Sequence, residues 1–101
     1  MESEEVTFVH VYLTEGQGRL QELLECLHDE EKVRGVTVFR GVTGFGHSGR
    51  IHSATLLDMS LDLPLVIEFF DTPEKVERVL EHLSSRLEPG RLTWWPARVS
   101  L

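Results

Sequence analysis

The sequence predicts an α+β domain in which four antiparallel strands carry two helices on one face. Three observations predict it. Four runs are rich in β-branched and aromatic residues, two segments repeat leucine and valine at helical spacing, and one long connection divides the chain into two similar halves.

Strand one is read from V-T-F-V-H-V-Y-L, Val6 to Leu13, whose apolar residues fall on both alternating sets, so both faces are expected to be buried. Thr14 and Gln17 have capping-box spacing. Leu20, Leu23, Leu24 and Leu27 then form the stripe of a helix from about Gly18 to Glu30. Gly35 offers a turn before strand two, Val36 to Val42. Strand three spans Leu63 to Phe70, apolar on both faces except at Glu68. Thr72 and Pro73 provide an N-cap and a first turn. Val76, Val79, Leu80, Leu83 and Leu87 stripe helix two, and Pro89-Gly90 stop it. Strand four covers Leu92 to Val99, where Pro96 lacks a ladder donor and calls for an edge or a bulge. Trp94 and Trp95 point to opposite faces of it, one expected to pack inward and the other at a subunit boundary. The order β-α-β, long loop, β-α-β is the split βαβ, ferredoxin-like arrangement.

A chain of 101 residues makes one domain, 1–101, and buries only a modest core. Two helices cover one face of the sheet, and strands one and three are apolar on the other. A second copy of the chain is the expected cover, giving a closed homo-oligomer with sheets facing inward. The net charge of −7, without a concentrated basic face, argues against a nucleic-acid partner. Cys26 is the only cysteine, which excludes an internal disulfide and a thiolate metal cluster. The acidic start, Met1 to Glu5, has none of the basic-then-apolar pattern of a secretory signal, so a cytoplasmic setting is expected.

Gly41, Gly44, Gly46 and Gly49 cluster between Arg40 and Arg50, where small residues let backbone N–H groups approach an anion and arginines can fork onto phosphate. The same composition suits a Gly-rich hairpin with solvated arginines. Gly90-Arg91 enters strand four and Arg98 lies further along it. His10 is read as a packed, hydrogen-bonded strand residue, and His28 and His82 as solvated. His47 and His52 share the long connection with Asp58 and Asp62, a weak divalent-metal alternative. No serine has a nucleophile-elbow context, and Cys26 sits among helix leucines, so an enzyme is not expected.

Gly35-Val36-Thr37-Val38 followed by Gly44-Phe45-Gly46 resembles the approach to the T-loop of PII signal-transduction proteins. The string R-G-V-T-G-F-G-H-S-G-R-I-H-S-A, then D-L-P-L-V-I-E, resembles more closely the PII-like family called domain of unknown function 190. The resemblance runs through the whole chain. It implies a homotrimer with no catalytic centre and no bound cofactor, taking an adenine nucleotide (ATP, ADP or AMP) in clefts between subunits. A T-loop-like connection at about 44–62 would report to a transporter or enzyme partner. Carried over by position, Thr37, Gly44, Phe45, Gly46, Arg91 and Arg98 would approach the ligand. The chain departs from the PII pattern at Pro89-Gly90-Arg91, which stands where a glycine-aspartate-glycine-lysine loop is usual, and its only tyrosine, Tyr12, lies outside the connection. Two alternatives stay open: an ion-tolerance type protein using His47, His52 and Asp58, or a small cleft enzyme using Glu68 and an arginine. Glu68 could equally be a structural partner of Arg40.

Overall fold

Alternation along the strands puts one set of apolar residues under the helices. In a computed structural model of the chain, which describes residues 1–45, 51–53 and 63–101, that set closes into a single core. Strand β1 (Ser3–Thr14) leads through a 3-10 turn (Glu15–Gln17) into α1 (Leu20–Glu25), which continues as a π-helical segment (Cys26–Glu30). β2 (Val36–Arg40), β3 (Thr43–Phe45), β4 (Ile51–Ser53), β5 (Pro64–Asp71), α2 (Pro73–Ser84) and β6 (Leu92–Ser100) follow. The main sheet has the order β2-β5-β1-β6, with every neighbouring pair antiparallel. This is the expected split βαβ architecture.

Val9, Val11 and Leu13 of β1 and Leu65, Ile67 and Phe69 of β5 meet Leu23 and Leu27 from the first helix and Val76, Val79 and Leu83 from α2. Leu20 and Leu24 pack at the margin. The α2 N-cap forms as expected, Thr72 Oγ1 accepting from the Lys75 N–H at 3.4 Å behind Pro73 at the first position. Leu87 lies beyond the helix end and still packs on the core. β6 is an edge strand, which accommodates Pro96.

Three local expectations are corrected. The Thr14 hydroxyl makes no cap bond, because the residues after it form a 3-10 turn that closes at Gly18 in the left-handed conformation (φ 68°). α1 therefore starts at Leu20, with Arg19 in the cap position. The connection read as one loop contains a two-stranded ribbon, β3 paired to β4 in the register Thr43 to Ser53, Gly44 to His52 and Phe45 to Ile51. Neither tryptophan is enclosed. Trp94 is 57% exposed on the helix face of the edge strand, and Trp95 is 38% exposed on the opposite face.

That opposite face carries an apolar surface no element of the chain covers among the described residues. Phe70, Phe8 and Trp95 stack across β5, β1 and β6, with centroids 5.0 and 6.0 Å apart. Beside them His10 bonds Glu68 at 2.8 Å and meets Trp95 edge-on at 4.8 Å. The ion pair expected between Glu68 and Arg40 does not form, because the register sets Glu68 opposite His10 and Thr37 while Arg40 projects from the other face.

Asp71 is the one buried charged residue among those described, at 3% exposure. Its carboxylate accepts the Thr72 N–H at 2.8 Å and the Arg34 N–H at 3.2 Å, and it faces Lys75 Nζ at 3.3 Å and Arg34 Nε at 3.6 Å. The Arg34 guanidinium also reaches Glu4 and holds that carboxyl below its ordinary range. Replacing Asp71 with Ala leaves two N–H groups without their acceptor, while Arg34 keeps Glu4 and Lys75 keeps the Lys32 carbonyl, so it should lower unfolding stability by about 1–3 kcal/mol in urea titration, and Asn should cost less. Cys26 is buried, and burial pushes its thiol above the usual range. A disulfide reagent should therefore leave the native protein unmodified over the time in which the urea-unfolded chain reacts fully.

Candidate functional site

Four separated segments converge at one end of the sheet: the end of β1, the Gly41–Phe45 stretch leading into the ribbon, the start of β5, and the turn before β6. Gly41 donates its N–H to the Pro64 carbonyl at 2.8 Å, and Tyr12 donates its own to the Arg91 carbonyl at 2.9 Å. These bonds fix the ribbon and the turn on either side of the β1–β5 pair. Between them lies a cleft of about 510 Å³, walled by Tyr12, Thr14, Gly41, Thr43, Gly44, Phe45, Pro64, Glu88, Gly90 and Arg91, among others.

The glycines of the wall have different jobs. A Cβ at Gly41 would stand 2.8 Å from Pro64 Cγ, and one at Gly44 would stand 3.3 Å from the same atom, so the ribbon reaches its position by packing backbone on the proline ring. Gly90 has φ +89°, which favours glycine and turns the chain back into β6. Arg91 is mostly buried and faces Glu88 at 3.8 Å. Phe45 is largely exposed at the cleft rim.

The structure brings together Gly44, Phe45, Gly90 and Arg91 of the residues read from the sequence. Thr37 sits on the open face of β2, opposite Glu68, and Arg40 points to the other side, where it bonds Glu15 at 2.5 Å. Arg98 lies at the far end of β6, opposite Glu5, and donates to the Ser3 hydroxyl at 2.8 Å and the Ser3 carbonyl at 3.1 Å. Gly46, Arg50, His47, Asp58 and Asp62 lie outside the described residues, and His52 is placed only as a strand position facing Gly44. Among the described residues no three His, Cys, Asp or Glu side chains are grouped to hold a metal ion.

Sequence reasoning missed Glu15, Pro64 and Glu88. Pro64 stood in the D-L-P string and was legible as a strand start. The two glutamates carry no local signal, because their importance comes from arginines distant in sequence or fixed by a turn.

The model of the family known as domain of unknown function 190, DUF190, described as "Uncharacterized ACR", matches residues 7–99. The chain belongs to the DUF190 family. Among curated proteins, this DUF190 chain is 35% identical over 57 residues to a UPF0166 protein of Aquifex aeolicus; the match takes in 56% of this chain and spans about half, 54%, of that protein. A UPF0166 protein of Methanocaldococcus jannaschii is 33% identical over 78 residues, covering 72% of this chain and 70% of its own length.

Solved structures share the fold at low identity. CPII, a nitrogen regulatory PII-like protein from Thiomonas intermedia K12 bound to ADP, AMP and bicarbonate, aligns with TM-score 0.77 at 18% identity over 99% of this chain and 92% of its own. A candidate PII-like signalling protein from Thermus thermophilus aligns with TM-score 0.68 at 16% identity over 98% of this chain and 91% of its own. The expected PII-like fold is thus present. No helix among the described residues is long and apolar enough to cross a membrane.

The wall geometry makes a prediction. Gly41→Ala should cost about 1–3 kcal/mol in denaturant unfolding, because the added methyl meets a rigid ring and must push the ribbon from the sheet. Gly35→Ala, where a Cβ meets nothing within 4 Å, is the matched control and should be close to neutral.

Proposed function

We propose that this DUF190 protein is a PII-like regulatory protein rather than an enzyme, binding an adenine nucleotide in the cleft beside Arg91. The observation that carries the reading is the meeting of Gly44-Phe45 on the ribbon with Gly90-Arg91 on the facing turn. Backbone N–H groups of glycine-rich turns and a guanidinium suit a phosphate, and an aromatic rim suits a base. The PII-like neighbour solved with ADP, AMP and bicarbonate supports an adenine ligand.

The active form is a homotrimer, cytoplasmic in setting. Its subunits cover the aromatic face of Phe8, Phe70 and Trp95 with one another, and its clefts open at the subunit boundaries. A neighbouring copy is then the element that brings Thr37 and Arg98 toward a ligand, since within one chain both lie away from the cleft. The ribbon forms one wall, so an occupied cleft holds it in one of two arrangements, and a transporter or enzyme partner distinguishes them.

Light scattering should give a particle of three times the 11.6 kDa chain mass. In thermal unfolding, ADP or AMP at 100 times its dissociation constant should add about 2.7 kcal/mol of stability, and the nucleotide should be recovered intact. Arg91→Ala should abolish the shift while leaving the oligomer unchanged. A trimer whose stability no adenine nucleotide moves would sink the reading, and steady conversion of the nucleotide would favour the cleft enzyme.

A further inference from the structure

Within one subunit the described lining of the cleft holds little net positive charge, and a sister copy's Arg98 would raise its cations only to two. Among its described lining residues, Arg91 is the one cation and Glu88 the one anion, with their charged groups 3.8 Å apart. Arg19, beside the cleft, donates to the Arg86 carbonyl at 2.7 Å, and Arg40 is likewise committed elsewhere. Its Nη2 donates to Glu15 Oε1 at 2.5 Å, and the second carboxylate oxygen of Glu15 is buried with no hydrogen-bond partner. Moving Arg40 onto a ligand would leave a mostly buried carboxylate without its cation, which is strongly unfavourable. Glu15 therefore keeps Arg40 in place. The surrounding field is negative as well, since the chain carries −7.

A phosphate monoester brings about −1.5 to −2 charge at neutral pH, and each further phosphoryl group adds to it. Sites that hold triphosphates set several cations against that charge. Resting on the nucleotide reading above, we propose that this cleft selects a nucleoside monophosphate over the triphosphate, with Glu88 and Glu15 as the specificity-determining residues. Glu88 acts directly, since its carboxylate stands 3.8 Å from the Arg91 guanidinium and repels the added charge of further phosphates. Glu15 acts by withholding Arg40. The Gly44 and Gly90 backbones are indifferent to total charge and serve one phosphate as well as three.

The test is titration calorimetry of the folded oligomer with AMP, ADP and ATP, repeated for Glu88→Gln and Glu15→Gln. The wild type should bind AMP about tenfold more tightly than ATP, a difference of about 1.4 kcal/mol. Glu88→Gln should narrow the ratio by about threefold or more, through tighter ATP binding with AMP nearly unchanged. Glu15→Gln, if it folds, should narrow it further, and the Glu15→Gln, Arg40→Ala pair should restore the wild-type ratio. A merely structural role for either glutamate would weaken all three nucleotides together and leave the ratio fixed, which overturns the proposal. ATP as the tightest ligand of the wild type overturns it too, while leaving the nucleotide reading intact. Failure of all three nucleotides to bind a folded oligomer would instead remove that reading, and this proposal with it.

Discussion

A carboxylate buried at the end of β5 ties the two halves of this chain together. Asp71 takes the first N–H of the α2 turn and the N–H of Arg34, which precedes β2, and it draws a lysine from α2 and the Arg34 guanidinium onto the same two oxygens. One side chain thus fixes where α2 leaves the sheet and where the return from α1 enters β2. Such a group is tolerated at 3% exposure only because its partners arrive from three directions. With that corner fixed, the other end of the β1–β5 pair is fixed too, because eight consecutive register pairs carry the alignment from Asp71 to Pro64. The cleft is built at that far end, around Pro64.

Much of this architecture was legible because it rests on local patterns. The paired apolar alternation of β1 and β5, the Thr72-Pro73 start of α2 and the edge position demanded by Pro96 each follow from a few adjacent residues. The start of α1 was less legible. Thr14 and Gln17 had the spacing of a capping box, but Gly18 in the left-handed region closed a tighter turn first and moved the helix onset to Leu20. The ribbon was hidden for another reason. A three-residue strand such as Thr43–Phe45 is too short to show a period, and its existence depends on a partner segment and on Pro64 beneath it.

The candidate site divides along the same line. Glycines and the arginine that needed only a turn, at Gly44 and Gly90-Arg91, were visible as short motifs. Charge pairing was not. Arg40 and Arg91 look alike in sequence, each beside a glycine, yet the fold hands Arg40 to Glu15, 25 positions away, and leaves Arg91 in the cleft wall. Glu68 was singled out correctly as an anomaly in an apolar strand, but only the register shows that its partner is His10 rather than an arginine. Similarity to known structures fixes the family's fold and says little about these choices, which belong to individual side chains.

The proline in β6 bears on how the chain avoids sticking to copies of itself. β6 is nine residues long, and among the described residues its outer edge is paired to nothing within the chain. A chain with such an edge, and with an aromatic sheet face bare among the described residues, is exposed to open-ended strand-to-strand growth into insoluble polymer. Pro96, near the middle of the strand, removes one donor from the row, and Arg98 two positions on places a charge beside it. The edge is a poor template for a continuous ladder, although it borders an aromatic sheet face that is itself uncovered among the described residues. The same residue that looked like a flaw in the sequence of a strand is what makes this edge resist open-ended growth.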